Sequence, residues 1–388
     1  MTALQIDLWG VRLRLRKPFR HARAERTETV NVVARVRCGE ISGWGEAVTR
    51  TYLTGETPEG ALAFARGLAA DVSRCAREED LSSLERAVEF VRARVCPPAD
   101  DRSSNAARAA LEIAFLDAAA RRVGVPFWRI VELVLPAEAL REGGPVRYGV
   151  VLSAEDISRV RRKAFLYRLY GFREVKLKVG TGGDDVERVA AVRAVLGNRV
   201  DLRLDANNGW DREDAERILS AVRPHRVSAV EEPLAVGDGE GLRRLRERLG
   251  VKVILDESFT SLSDVDRISR EGSGDILNVR IAKCGGFVRS LECIRRAREV
   301  GLDVQLGCLV GESSILSAAG RHLAQRVKGL LYLEGSYDRH LLRENVVRRD
   351  LTFGRGGKAL PIDGVGLGIE VDEALVRRLA VDGGAIAR

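Results

Sequence analysis

The sequence predicts an α/β protein: a (β/α)8-type barrel with an N-terminal α+β capping domain that the C-terminal tail completes. Three observations point there. First, apolar runs that end in a polar residue recur at near-constant spacing: Asp205 follows Lys178 by 27 residues, Glu231 follows by 26, Asp256 by 25 and Lys283 by 27. Each run leads into a helix-like stretch, and about 250 residues shared by eight strand–helix units give roughly 31 per unit. Second, the first 50 residues alternate apolar and polar side chains, whereas residues 58 to about 130 carry helical spacing, an α+β pattern. Third, 388 residues suit a barrel plus a second domain.

In chain order, residues 4–8 and 11–15 read as two strands and 30–38 as a third, followed by a Gly39-Glu40 turn and the segment 41–47. Residues 17–28, polar and rich in Arg, read as a loop too long for a hairpin, and 49–57 as a second loop. Pro58 opens a helix at its first turn, 81–95 gives another, and 105–122 a third whose small residues suit tight burial. Residues 136–145 read as a linker. Eight barrel strands are expected near 146–152, 173–179, 199–205, 226–232, 251–256, 275–282, 302–307 and 329–334. Helices fill the gaps, for example at 184–196, 212–222, 242–249, 288–300 and 313–326. The Gly-rich tail is too short for a domain and is expected to pack back on the N-terminal one. The division is therefore 1–135, 136–345 and 346–388.

Composition narrows the function classes. The chain is 45% hydrophobic and 31% charged, which argues against long disorder. The net charge is +8, but Arg is spread beside Glu and Asp rather than gathered in a stripe. Solvated helix faces explain this better than a nucleic-acid surface, which is kept only as the rival, non-enzymatic reading. Six scattered cysteines with no CxxC pair suggest reduced thiols and a cytoplasmic setting. No apolar run approaches a membrane span, and the first residues do not resemble a signal peptide.

Residues at the C-terminal ends of barrel strands converge on one mouth. Asp205, Glu231 and Asp256 would bring three carboxylates there with no His or Cys nearby, an oxygen-only donor set that selects Mg2+ over zinc. Helix capping or a surface Arg pair is the plainer use of any one acid, but fits three matched strand ends less well. Glu232 and Glu257 point to the other side, where a salt bridge toward the helices is expected. Lys176 and Lys178 alternate with apolar residues, so a strand aims both ammoniums the same way. Lys283 ends the sixth run, across the barrel from the second. Inward lysines are costly unless paired or working. Two lysines across a mouth could remove a proton and return one, with a cation stabilising the charge that forms on a carboxylate. Three lysines reaching out to solvent is the plainer alternative.

Lys176-x-Lys178, Asp205-x-Asn207, Glu231-Glu232-Pro233, Asp256-Glu257-Ser258 and Lys283-Cys284-Gly285-Gly286, in order at barrel spacing, resemble the enolase superfamily in its muconate lactonizing enzyme subgroup. The segments 19–29, 43–47, 54–57 and 307–313 extend the resemblance over nearly the whole chain. It implies a modified TIM barrel, Mg2+ held by Asp205, Glu231 and Asp256, acid/base roles for Lys178 and Lys283, and a substrate-carboxylate contact at Lys176. It implies a Mg2+-dependent isomerase that removes the α-proton of a small-molecule carboxylate, with an even-numbered homo-oligomer usual. Racemisation or epimerisation of an amino-acid derivative or dipeptide is the first expectation. Cycloisomerisation, or an o-succinylbenzoate synthase-like elimination, is the second. Arg20 and Arg23, with His21 and Arg26, stand in the 17–28 segment where they could meet an anion. Dipeptide epimerases of the subgroup usually show Asp-x-Asp after strand 8. Here the stretch is Glu334-Gly335-Ser336-Tyr337-Asp338, so Glu334 or Asp338 would have to take a substrate ammonium.

Overall fold

The computed structural model describes residues 4–21, 24–97, 102–153 and 156–387. Strands β1 (Gln5–His21), β2 (Ala24–Cys38) and β3 (Ile41–Val48) form an antiparallel sheet, and a tail strand, Ala380–Ala387, pairs with the outer edge of β1. The two short strands expected at 4–8 and 11–15 are one strand, because Gly10 stays in register opposite Val32. The alternation breaks in sequence because both faces are covered there: Leu8 is buried, and so is Trp9, which stacks on Trp44 at 5.8 Å with the Arg35 guanidinium over both rings.

The segment 17–28 is not a loop. After a register shift between Arg14 and Phe19, β1 and β2 pair again at Phe19–Arg26, Arg20–Glu25 and His21–Ala24. Pro18 has no N–H for a ladder, and an irregularity at that point removes the need for one. The long hairpin carries Arg16, Lys17, Pro18 and Phe19 to the barrel mouth.

Helices α1 (Pro58–Cys75), α2 (Leu84–Phe90) and α3 (Asn105–Val123) complete the cap. The alanine-rich face of α3 lies directly on β3. A Cβ on Gly43 would come 2.1 Å from the Ala118 amide nitrogen, and one on Gly45 2.0 Å from the Ala110 carbonyl oxygen. Small residues on both partners let helix and strand approach this closely.

The barrel strands are β4 (Val150–Leu152), β5 (Glu174–Lys178), β6 (Asp201–Asp205), β7 (Ala229–Glu231), β8 (Lys252–Leu255), β9 (Ile276–Val279), β10 (Asp303–Leu306) and β11 (Leu330–Leu333). All eight pair in parallel and in chain order as a curled sheet. The Gly149 amide donates to the Leu333 carbonyl at 2.8 Å and joins the first strand to the last. Seven helices alternate with them: α4 (Ile157–Tyr170), α5 (Asp185–Leu196), α6 (Arg212–Val222), α7 (Gly239–Leu249), α8 (Leu262–Glu271), α9 (Phe287–Glu299) and α10 (Ser314–Arg326). Asp184, Asp211 and Asp238 cap α5, α6 and α7 through the third backbone N–H of each. The strands are shorter than expected. In particular β9 ends at Val279, so Lys283 lies in the turn before α9 rather than at the strand's end.

Buried carboxylates fasten cap to barrel. Glu46 of β3 accepts from the Ser313 amide (3.0 Å), the Ser313 hydroxyl (2.7 Å) and the Leu316 amide (3.0 Å) at the start of α10. Glu112 of α3 accepts from the Phe287 and Val288 amides at the start of α9. The α9 N-cap is Gly286, which has no side chain to do this, and a Cβ there would stand 2.3 Å from Glu112 Oε2.

Candidate active site

Lys178, Asp205 and Glu231 are the last residues of β5, β6 and β7, and Asp256 is the first after β8. Parallel register sets Lys178 beside Asp205 and Asp205 beside Glu231. The Lys178 Nζ donates to Asp205 Oδ2 and Asn207 Oδ1, both at 2.6 Å. Lys176 Nζ lies 3.1 Å from Glu231 Oε2, 3.2 Å from Asp205 Oδ2 and 2.9 Å from Glu334 Oε1. Burial works against the Lys176 charge, but Glu231, Glu334 and Asp205 outweigh it and hold its pKa well above the usual lysine range. Asp205 is lowered in turn: burial opposes its charge, and Lys178 and Lys176 prevail. Glu231 is raised by burial despite Lys176. Asn278 and Gln305 donate to Glu231 at 3.1 and 3.3 Å, and Arg203 ties Gln305 (2.8 Å) to Glu334 (3.3 Å).

A cavity of about 1000 Å³ opens above this floor. Lys176, Lys178, Asn207, Arg280, Cys308 and Glu334 line its base, and Phe19, Tyr167, Leu166, Leu169, Phe172 and Phe353 line its walls. The backbone is left-handed at Asn207 (φ 45°) and Glu232 (φ 41°), two non-glycine residues just past strand ends. Such strain is common where a site dictates the chain's path.

The structure brings Lys176, Lys178, Asp205, Glu231, Asp256 and Glu334 together, as expected. Lys283 is placed differently: it does not line the cavity. Its ammonium donates to Asp256 Oδ1 (2.8 Å), the Asp256 carbonyl (2.7 Å) and the Asn278 carbonyl (2.8 Å). Glu232 is not in a helix-side salt bridge. It accepts from the Asp256 and Ser258 amides (both 2.7 Å) and the Ser258 hydroxyl (3.0 Å), because the turn at its positive φ points it back under β8. Glu257 is likewise buried and accepts from Asn207 at 3.0 Å. Asp338 is buried outside the cavity, accepts from Ser317 at 3.1 Å, and is pushed up to about 7 by burial. Arg20 lies on β1 near the hairpin tip, and Arg23 falls outside the described residues. Sequence reasoning missed Arg280. The signal was there: from Asn278, which points inward to Glu231, period-two alternation puts Arg280 on the inward edge and Lys283 on the other parity.

Two family models match. Residues 5–131 match the N-terminal domain of the mandelate racemase/muconate lactonizing enzymes, and 159–375 the enolase C-terminal domain-like model. The chain belongs to the mandelate racemase/muconate lactonizing enzyme family. Within this family it is 31% identical over 315 residues to an L-Ala-D/L-amino acid epimerase of Populus trichocarpa, covering 79% of this chain and 70% of the relative. A dipeptide epimerase from Cytophaga hutchinsonii, solved with Mg and the dipeptide D-Ala-L-Val, superposes with a TM-score of 0.84 at 23% identity over 100% of both chains. A 2-chloromuconate cycloisomerase from Rhodococcus opacus does so with 0.84 at 26% identity over 98% of this chain and 100% of that one. The protein is an isomerase of the enolase superfamily, whose chemistry is Mg-dependent metal-stabilised enolate formation. No described helix is long and apolar enough to cross a membrane.

The donor chemistry of this chain fits Mg2+. Asp205, Glu231 and Asp256 are fully buried carboxylates on three consecutive strand ends, and Asp256 Oδ2 accepts no well-aligned hydrogen bond. As the side chains stand, each carboxylate is turned to a cation, and among the described residues no three potential ligands converge on one point.

Proposed function

We propose that the protein isomerises a small carboxylate by removing its α-proton, with Lys178 as the base and Asp205, Glu231 and Asp256 as the Mg2+ ligands. Bound there, Mg2+ supplies the positive charge that stabilises the enolate oxygens. The observation that carries this reading is Lys178 itself. Its side-chain nitrogen stands at a strand end, lines the cavity, and is held in one direction by Asp205 and Asn207 at 2.6 Å. Lys176 beside it keeps its charge and orients the substrate carboxylate.

The cavity favours a carboxylate that carries no ammonium, an N-acylated amino acid being the simplest probe of that class, over a dipeptide. Among the described lining residues only Glu312 and Glu334 are acidic. Glu334 is engaged by Lys176 and Arg203, and Glu312 accepts from the Leu309 amide while burial pushes it up to about 8. Neither offers a free carboxylate to an ammonium. Arg16, Lys17 and Arg355 line the same cavity and suit a second anionic group, and Leu166, Leu169 and Phe172 an apolar side chain. Relatives carry such enolates to epimerisation or to cycloisomerisation. The test is proton exchange. The full chain is incubated with Mg2+ and N-succinyl- and N-acetyl-amino acids in D2O, and the α-proton is followed by NMR. Exchange that requires Mg2+ is expected. A folded, Mg2+-loaded protein that exchanges no member of the panel would refute the proposal.

A further inference from the structure

We propose that Arg280, not Lys283, faces Lys178 across the cavity, so that protons leave and return on the Lys178 face alone. This rests on Lys178 as the base and chooses between the two outcomes open to the enolate.

The geometry has three parts. β5 and β9 stand four places apart in the eight-strand sheet, so groups at their ends oppose one another across the mouth. Arg280 is the first residue after β9 and lines the cavity with Lys178. Its Nη2 lies 2.6 Å from Asp256 Oδ2, while its buried Nε has no hydrogen-bond partner. Lys283 has no donor left to give. An ammonium has three N–H groups, and the Asp256 carboxylate, the Asp256 carbonyl and the Asn278 carbonyl take all three. Its backbone is also fixed, since Asn105 of the cap donates to the Lys283 carbonyl at 2.7 Å.

A guanidinium stays protonated and presents a planar fork of donors. In this position it binds an anionic oxygen and gives up no proton to carbon. Racemisation by two bases on opposite faces is then closed, and an isomerisation that moves one proton and one C–O bond is open. Lys178 as free amine takes the α-proton, and the C–H pair becomes the enolate. The enolate collapses to a carbon–carbon double bond as the bond from the β-carbon to an intramolecular carboxylate oxygen breaks. That oxygen leaves with the electron pair as a carboxylate paired to Arg280. The α-proton stays on Lys178, which becomes the ammonium, and the departing carboxylate carries the electron pair, so atoms and charge balance; the reverse closes the ring and returns that proton to the α-carbon.

Two measurements decide it. A crystal structure of the full chain grown with Mg2+ and malonate should show Arg280 on the cavity wall and Lys283 still on the Asn278 carbonyl. A Lys283 ammonium pointing into the cavity overturns the assignment. In D2O with N-succinyl-L-amino acids, the wild type should exchange the α-proton with retained configuration. Arg280→Lys, which adds a base on the opposite face, should yield the inverted product. Inverted product from the wild type as fast as exchange overturns the proposal. Exchange by neither protein counts against Lys178 as the base, and the crystal structure still decides where Lys283 points.

Discussion

Glu112 offers a test of how the cap holds the site. The residue lies on α3, and its carboxylate receives the first two amides of α9, four residues beyond Lys283. Glu112→Ala removes both acceptors and leaves two buried N–H groups unpaired. At about 1–3 kcal/mol for each, the loss is about 2–6 kcal/mol. Its pH dependence is the sharper part. Burial raises the Glu112 carboxyl to about 8 from 4.5, with the Val288 and Phe287 amides opposing. A carboxyl raised in the folded state stabilises most below its unfolded pKa, and that contribution is lost as pH rises through the folded value. The gap between wild type and Glu112→Ala should therefore shrink by about 1.4 kcal/mol per pH unit over that window, and be mostly gone by about pH 8. Urea unfolding at about pH 5.5 and pH 8 reads it. Glu112→Gln keeps one acceptor and should cost about 1–3 kcal/mol with no such slope. A gap that is constant or widens with pH would mean an ionised, stabilising carboxylate and refute the reasoning.

Three further outcomes are expected. Lys178→Met should lower α-proton exchange about 10²–10⁴-fold. It should shift the melting temperature little, because Lys176 still pairs with Asp205 at 3.2 Å; exchange within tenfold of wild type would remove Lys178 from its role. Mg2+ should raise the melting temperature, by about 2.7 kcal/mol of added stability at 100 times its Kd. Asp205→Asn should abolish that gain, and an equal gain in the variant would place the ion elsewhere. Gly286→Ala puts a Cβ 2.3 Å from Glu112 Oε2 at a φ of 135°, so a loss of about 2 kcal/mol or more is expected in urea unfolding. An unchanged midpoint would show that the α9 cap is not this tight.

Much of this was legible in the chain itself. The recurrence of Lys178, Asp205, Glu231 and Asp256 at 25 to 27 residues reflects a covalent fact: a strand and a helix of ordinary length fill that interval, so the ends of successive strands meet at one mouth. The small residues of 105–122 likewise announced a tightly buried helix, which became α3 on β3. The hairpin at 17–28 was not legible, since its pairing depends on a register shift near Pro18 that no local pattern encodes. Nor were the uses of Glu46 and Glu112, which reach helix starts about 270 and 175 residues away.

The sixth strand shows the boundary most clearly. The sequence by itself determined that cationic side chains stand near the end of β9, because side-chain chemistry and strand spacing are local properties. Strand parity counted from Asn278 favours Arg280, but that the chain leaves the strand so as to keep Lys283 out of the cavity was decided only by the tertiary structure. β9 stops at Val279, and the turn that follows is pinned by Asn105 from the cap and by the Glu112 cap on α9. A partner distant in sequence thus fixes the turn, and the turn leaves Lys283 on the carbonyls behind the site while Arg280 faces the substrate's space.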